Sequence, residues 1–278
     1  MILSWVLEKM SSPYSGGPYY SGTSNIELIE KNKSEFPVAF QSGSRLTYYA
    51  SQFNSLEVNS SFYKLPLPAT LRKWAGEVPS GFRFTLKIWR EITHAKDLAF
   101  RMEDVERFMS IANQLNDKRG ALLIQLPAGT RGAQIGRLDK LLRAIQALNP
   151  PQTAPEPPGP SPAGAGHPWE LAVELRHPSW HAEEIHSLLT GHGAALVWHD
   201  RPVMEEVWNF VREPFVYLRF HGPAGDYKGS YAEPFLADKA QFIRECIVQG
   251  KTVYAYFNNT MFGDAPRDLV TLNRMVAG

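Results

Sequence analysis

Two glutamates stand in stretches apolar enough to be buried strands: Glu57 in Leu56-Glu57-Val58 and Glu174 in Val173-Glu174-Leu175. A carboxylate taken out of water is costly unless it is paired or put to use. Two such groups can serve as acid/base or nucleophile, as in glycoside hydrolysis. The structural alternative is that Lys87, Arg176 or Arg219, which sit in similar runs, neutralise them. His94, His199 and His221 are candidate general bases or metal ligands. With Glu57, Glu174 and Asp200 they have the oxygen and imidazole chemistry of a metal site, although no H-x-x-x-H spacing accompanies them. Phe62, Tyr63, Trp89, Tyr227 and Tyr231 follow strand-like runs and offer faces for a sugar or a base; packing under loops is the competing role. In Arg176-His177-Pro178-Ser179-Trp180, Arg176 reads as a functional cation, Trp180 as a stacking plate, and Ser179 as the N-cap of the next helix. Cys246 reads as a buried helix residue rather than a nucleophile.

These residues need a scaffold. Hydrophobic patterning predicts strands at about 18–24, 55–61, 82–88, 121–126, 171–176, 194–199, 215–221 and 252–258. It predicts helices at 44–53, 69–78, 103–116, 135–148, 181–190, 233–249 and 266–276, with a short helix or turn at 203–210. Strict alternation implies parallel strands. Eight units in 278 residues match the size of a (β/α)8 TIM barrel. A doubly wound open sheet is the second choice, weakened by the lack of G-x-G-x-x-G after the first strand. Residues 1–17 read as an extension and 18–278 as the barrel domain. The segment 149–168, with eight prolines and no large apolar side chain, reads as a surface insertion within it.

Strand parity aims the polar side chains. With the apolar residues of each strand facing the helices, Glu57 and Asn59 point inward, as do Thr85 and Lys87, Gln125, Glu174 and Arg176. The same holds for Tyr217, Arg219 and His221, and for Tyr254, Tyr256 and Asn258, with His199 and Asp200 closing the sixth strand. These groups gather at the C-terminal strand ends, where barrel active sites lie.

Composition narrows the partners. A formal net charge of +1 gives no global field for nucleic acid or membrane. One cysteine excludes a disulfide framework and fits a reducing cytoplasm. The opening MILSWVLEKM has no basic residue before its short apolar run, so no signal peptide is expected, and no run approaches the ~20 apolar residues of a membrane span.

The blocks FNSLEVNSSFYKLP, FRFTLKIWREITHAKDL, LLIQLP, AVELRHPSW, VYLRFHGPAGDYKGSY and VYAYFNN, in this order, resemble the YecE-like family of uncharacterised proteins. The resemblance runs from about Gly22 to the C-terminus. It implies a TIM barrel and no established activity. The family's first block is similar to GTSGW, where this chain has Gly22-Thr23-Ser24-Asn25-Ile26.

The expected function is a hydrolase-like enzyme acting on a phosphate-bearing or sugar-like anion at the C-terminal rim. Glu57, Glu174 and His221 are its candidate catalytic groups. Asn59, Tyr63, Lys87, His94, Gln125, Arg176, Trp180, Asp200, Arg219, Tyr227, Tyr231, Asn258 and Asn259 are its candidate ligand contacts. No organic cofactor is expected; a divalent metal is the alternative. A nucleic-acid-processing protein and a non-catalytic small-ligand module are the competing readings.

Overall fold

The computed structural model describes residues 16–149, 167–200 and 212–278. Most of the predicted N-terminal extension and of the proline-rich segment, and the turn expected at 203–210, lie outside them. Two compact units emerge. Unit one takes its described residues from Met1–Glu57, Glu77–Phe82 and Val197–Gly278, and unit two from Val58–Gly76 and Arg83–Leu196.

The elements alternate as the apolar rhythm requires. The strands are β1 (Tyr19–Thr23), β2 (Ser55–Val58), β3 (Arg83–Lys87), β4 (Arg119–Gln125), β5 (Glu170–Glu174), β6 (Ala195–Leu196), β7 (Trp198–His199), β8 (Val216–Phe220) and β9 (Val253–Phe257). The longer helices are α1 (Arg45–Gln52), α2 (Pro68–Gly76), α3 (Met102–Ala112), α4 (Ile135–Leu148), α5 (Glu183–Gly191), α6 (Glu233–Val248) and α7 (Ala265–Ala277). One sheet has the order β1-β9-β8-β7 and the other β2-β3-β4-β5-β6. The pairs β1–β9, β8–β9 and β7–β8 are parallel, as are β3–β4, β4–β5 and β5–β6. The protein is therefore an α/β protein with parallel sheets, and no closed barrel is seen among the described residues.

In unit two, α3 buries Val105, Phe108, Met109 and Ala112, and α4 buries Leu138, Leu141, Leu142 and Ile145. Both sets fall at i, i+3, i+4 and i+7, one stripe of a helix. In unit one, Ser44 caps α1, its Oγ accepting from the Thr47 amide at 3.0 Å. Every residue of β8 and β9 is buried, as expected for parallel strands covered on both faces. Register places Tyr217 beside Tyr254 and Arg219 beside Tyr256, so the inward face predicted from parity is one continuous face here.

Some expectations change. The second strand stops at Val58, not at 61, because Asn59 turns helical and Ser60–Tyr63 form a single turn. The Ser61 hydroxyl closes that turn on the Val58 carbonyl at 2.8 Å. Asn59 therefore leaves the strand, and its parity argument lapses. The sixth strand is interrupted at Val197. Helix α3 ends at Ala112 and continues as a 3-10 turn to Lys118. Ser179 does not cap α5: it lies in a 3-10 turn, Pro178–Trp180, whose cap is His177. Cys246 is buried in α6, and burial pushes its thiol up to about 11, as suits a packing residue.

Candidate functional site

In unit one the strand ends build a buried network around Glu57. Ser24 donates to Oε1 at 2.5 Å and Tyr217 to Oε2 at 2.7 Å. Arg219 grips both oxygens, Nη2 at 2.7 Å from Oε1 and Nε at 3.0 Å from Oε2. Glu57 is 0% exposed and Arg219 1%. Burial pushes the carboxyl up, but the Arg219 charge and the bonds from Arg219, Ser24 and Tyr217 outweigh it, and the net direction is down. Each oxygen thus accepts two hydrogen bonds, and the ionised group has its acceptor sites filled. Burial, then the Glu57 charge, keeps the Tyr217 phenol protonated far above the usual tyrosine range.

His221 follows on the same strand line. Its Nδ1 lies 3.1 Å from Asp200 Oδ1, and its amide donates to both Asp200 oxygens at 3.0 and 2.9 Å. Its Nε2 lies 3.4 Å from Arg219 Nη1, which can only donate. The two neighbours select one tautomer, with the proton on Nδ1 and the Nε2 lone pair toward the guanidinium. Tyr231 donates to Asp200 and accepts from the Gly222 amide at 2.5 Å. Burial, then the Asp200 charge, raises the Tyr231 phenol strongly. Gly222 has φ +98°, and a Cβ there would stand 2.3 Å from the Lys228 carbonyl oxygen, so the turn after β8 requires glycine. Asn259 and Ser230 bond Asp268 at 2.7 and 2.5 Å, and Asn259 also reaches the Gly229 carbonyl at 2.8 Å. Burial raises the Asp268 carboxyl. Tyr227, at φ +70°, sets its ring edge-on to His221, and His199 does so from another side. Asn258 continues the ladder, its amide donating to the Phe220 carbonyl at 2.7 Å.

In unit two a second row runs across β3, β4 and β5. Gln125 and Glu174 are register partners. Gln125 lies two residues beyond Leu123, the partner of Lys87, so all three side chains share a face. Lys87 Nζ donates to Gln125 Oε1 at 2.6 Å, and Arg176 Nε to Glu174 Oε1 at 2.6 Å. The order is cation, amide, carboxylate, cation. Glu174 is fully buried, and the Arg176 side chain keeps 19% of its surface. His94 accompanies the row. Its Nδ1 is 3.0 Å from Thr93 Oγ1, and its ring stands edge-on to Phe62 at 4.7 Å. Lys87 Nζ sits 4.1 Å from the centre of the same Phe62 ring. Burial first, then the charges of Lys87, Arg176 and Arg90, pull the imidazole down to about 4.

The two guanidinium groups differ in what they have left to give. Arg219 commits Nε and Nη2 to Glu57 and turns Nη1 to His221. Arg176 commits Nε alone, and its two Nη groups donate to no acceptor among the described residues. Trp180, predicted as a stacking plate, is 1% exposed and donates its indole N–H to the Thr130 carbonyl at 2.8 Å, so it packs. Tyr231 is likewise buried, while Tyr63 is 70% exposed. Glu57 and Glu174 each carry an arginine, the structural alternative weighed against an acid/base pair. Ser24 and Asp268 escape a search for chemical motifs, and parity turns Tyr217 inward without giving it a partner. Asp268 in particular lies in the first turn of α7, where a carboxylate is commonplace. Among the described residues no three His, Cys, Asp or Glu side chains converge as a metal site would need, and no helix is long and apolar enough to cross a membrane.

A parallel-sheet α/β protein with charged strand ends is a broad class, and the relatives of the chain narrow it. Residues 20–278 match the family model described as "Protein of unknown function DUF72", and the chain belongs to that family. It is 32% identical to the UPF0759 protein YecE of Escherichia coli K12 over 83 residues, a match that spans 30% of this chain and 30% of that protein. A DUF72 family protein of Enterococcus faecalis V583 superposes with TM-score 0.72 at 19% identity, covering 95% of this chain and 100% of that one. One from Thermotoga maritima MSB8 gives 0.70 at 22%, covering 94% and 100%. At these identities the likeness is one of fold.

Proposed function

We propose that the protein binds a small phosphate-bearing or similarly anionic ligand at the C-terminal ends of β3–β5 and acts on it as a hydrolase. One observation carries this reading: the row Lys87–Gln125–Glu174–Arg176, in which the Arg176 Nη groups bond nothing within the described protein. A guanidinium fork and an ammonium are the donors that recognise an oxyanion. Glu174, paired with Arg176, is the general base of the proposal, and Glu57 holds Arg219 in place. The eight strand–helix units expected from the sequence support a (β/α)8 barrel as the frame of the same proposal.

Calorimetric titration of the full chain with inorganic phosphate tests the binding step. Arg176→Met and Lys87→Met are each expected to weaken it roughly 10- to 100-fold, the worth of a charged hydrogen bond of about 1.5–3 kcal/mol. Unchanged affinity in both variants would remove the proposal. A nucleic-acid ligand would instead show a steep salt dependence on single-stranded oligonucleotides.

The cations around His94 also set a pH dependence. Its folded pKa, about 4, lies below the ordinary 6.5, so the unfolded chain binds the proton more readily. The stability contributed by the neutral imidazole is present above about 6.5 and is lost as pH falls toward 4. His94→Gln is expected to flatten the wild-type decline across that window in denaturant unfolding. An identical decline in both proteins would contradict the assignment.

A further inference from the structure

We infer that the anion of this site is a phosphomonoester carried on a ring, a nucleoside or sugar phosphate, and that Tyr63 is the surface on which the ring lies. The inference rests on the anion reading above and adds a second subsite to it. Tyr63 keeps 70% of its surface exposed although it belongs to a well-packed turn. It stands edge-on to Phe62, with centroids 4.9 Å apart and planes at 86°, which leaves the outer tyrosine face open. Phe62 is buried, and its ring takes Lys87 Nζ at 4.1 Å and the His94 ring at 4.7 Å. The exposed ring therefore shares one neighbour, Phe62, with the cation and the imidazole. A ring joined to a phosphate through a sugar or a methylene is the kind of ligand that uses an aromatic face and a cation held around one shared side chain.

The platform is also held. The Ser61 hydroxyl, two residues earlier, lies 2.7 Å from the Lys87 carbonyl, within donating distance, and so ties the turn that presents Tyr63 to the strand end that presents the ammonium. A stacking surface fixed relative to an anion holder loses little side-chain entropy on binding. His94 Nε2 makes no hydrogen bond among the described residues and is a further donor or acceptor for the ester. A lone exposed tyrosine is common on protein surfaces; its attachment through Phe62 and Ser61 to the cationic row is what distinguishes this one.

The test is calorimetric titration of the full chain with inorganic phosphate, ribose 5-phosphate and adenosine 5′-monophosphate, for wild type, Tyr63→Phe and Tyr63→Ala. Stacking on an aromatic side chain predicts that at least one phosphomonoester binds ~10-fold or more tighter than inorganic phosphate. Tyr63→Phe keeps that margin. Tyr63→Ala removes it and leaves the affinity for inorganic phosphate unchanged. A margin confined to the nucleotide assigns the ring to a base, and one shared by both esters assigns it to a sugar. If phosphate binds and Tyr63→Ala changes none of the three affinities, the ring subsite is overturned while the anion site stands. If none of the three binds, the anion site fails and the ring subsite with it.

Discussion

Glu57→Leu is expected to destabilise the protein by about 3–5 kcal/mol, the usual consequence of removing one partner of a buried ion pair. The reason is the orphan it leaves. Arg219 is 1% exposed, and two of its nitrogens donate to Glu57. Without the carboxylate, a guanidinium remains in a site that water does not reach, beside Tyr217 and Ser24, whose hydroxyls also lose their acceptor. The double variant Glu57→Leu/Arg219→Met should recover a large part of the loss, since replacing a whole buried pair by apolar groups is often close to neutral. Equilibrium denaturant unfolding of the two single variants and the double measures the coupling. A double variant no more stable than Glu57→Leu would show that the pair is not the source of the cost.

The second large effect concerns a glycine with a negative φ, where the constraint is space alone. A Cβ on Gly22 would lie 2.0 Å from the Ser55 carbonyl oxygen and 2.8 Å from Tyr49 Oη. Neither neighbour can yield cheaply. Tyr49 is fully buried, receives the Thr23 amide at 2.7 Å and donates to Ser55 O at 3.0 Å. Gly22→Ala must push β1 away from that carbonyl, at a cost at or above the upper end of the ~1–3 kcal/mol of overpacking. Gly76→Ala, where a Cβ meets nothing within 4 Å, is the control and should stay within about 0.5 kcal/mol. Amide exchange at Thr23, whose N–H is held by Tyr49, should accelerate in Gly22→Ala alone. Equal stabilities of the two alanine variants would refute the close approach.

Gly22, Thr23 and Ser24 lie at the end of β1, and each has a distinct physical task. Gly22 permits the approach, Thr23 donates its amide to the Tyr49 hydroxyl, and Ser24 donates to Glu57. Asn25 adopts φ +62°, a conformation that glycine or asparagine accepts most readily, and its amide bonds the Glu57 carbonyl at 2.7 Å. Asparagine thus supports the backbone turn at this position.

The sequence alone determined whatever depends on local period. Alternation along β8 and β9 put Tyr217, Arg219, Tyr254 and Tyr256 on one face, and the 3.6-residue stripe placed α4 at 135–148 without error. It also showed that Glu57 and Glu174 would need partners, because a carboxylate among apolar neighbours cannot stand alone. Tertiary structure decided which partner each received. Glu57 meets Tyr217 across 160 positions of chain and Arg219 across 162, and no local pattern encodes such a meeting. The same is true of Trp180, buried because its indole reaches Thr130 fifty positions away, and of the end of β2, where the Ser61 hydroxyl meets the Lys87 carbonyl. Periodicity tells a side chain which way to point. What it finds there depends on strand order, register and side-chain reach, and these separate Arg219, engaged through Nε, Nη1 and Nη2, from Arg176, whose Nη groups donate to no acceptor among the described residues.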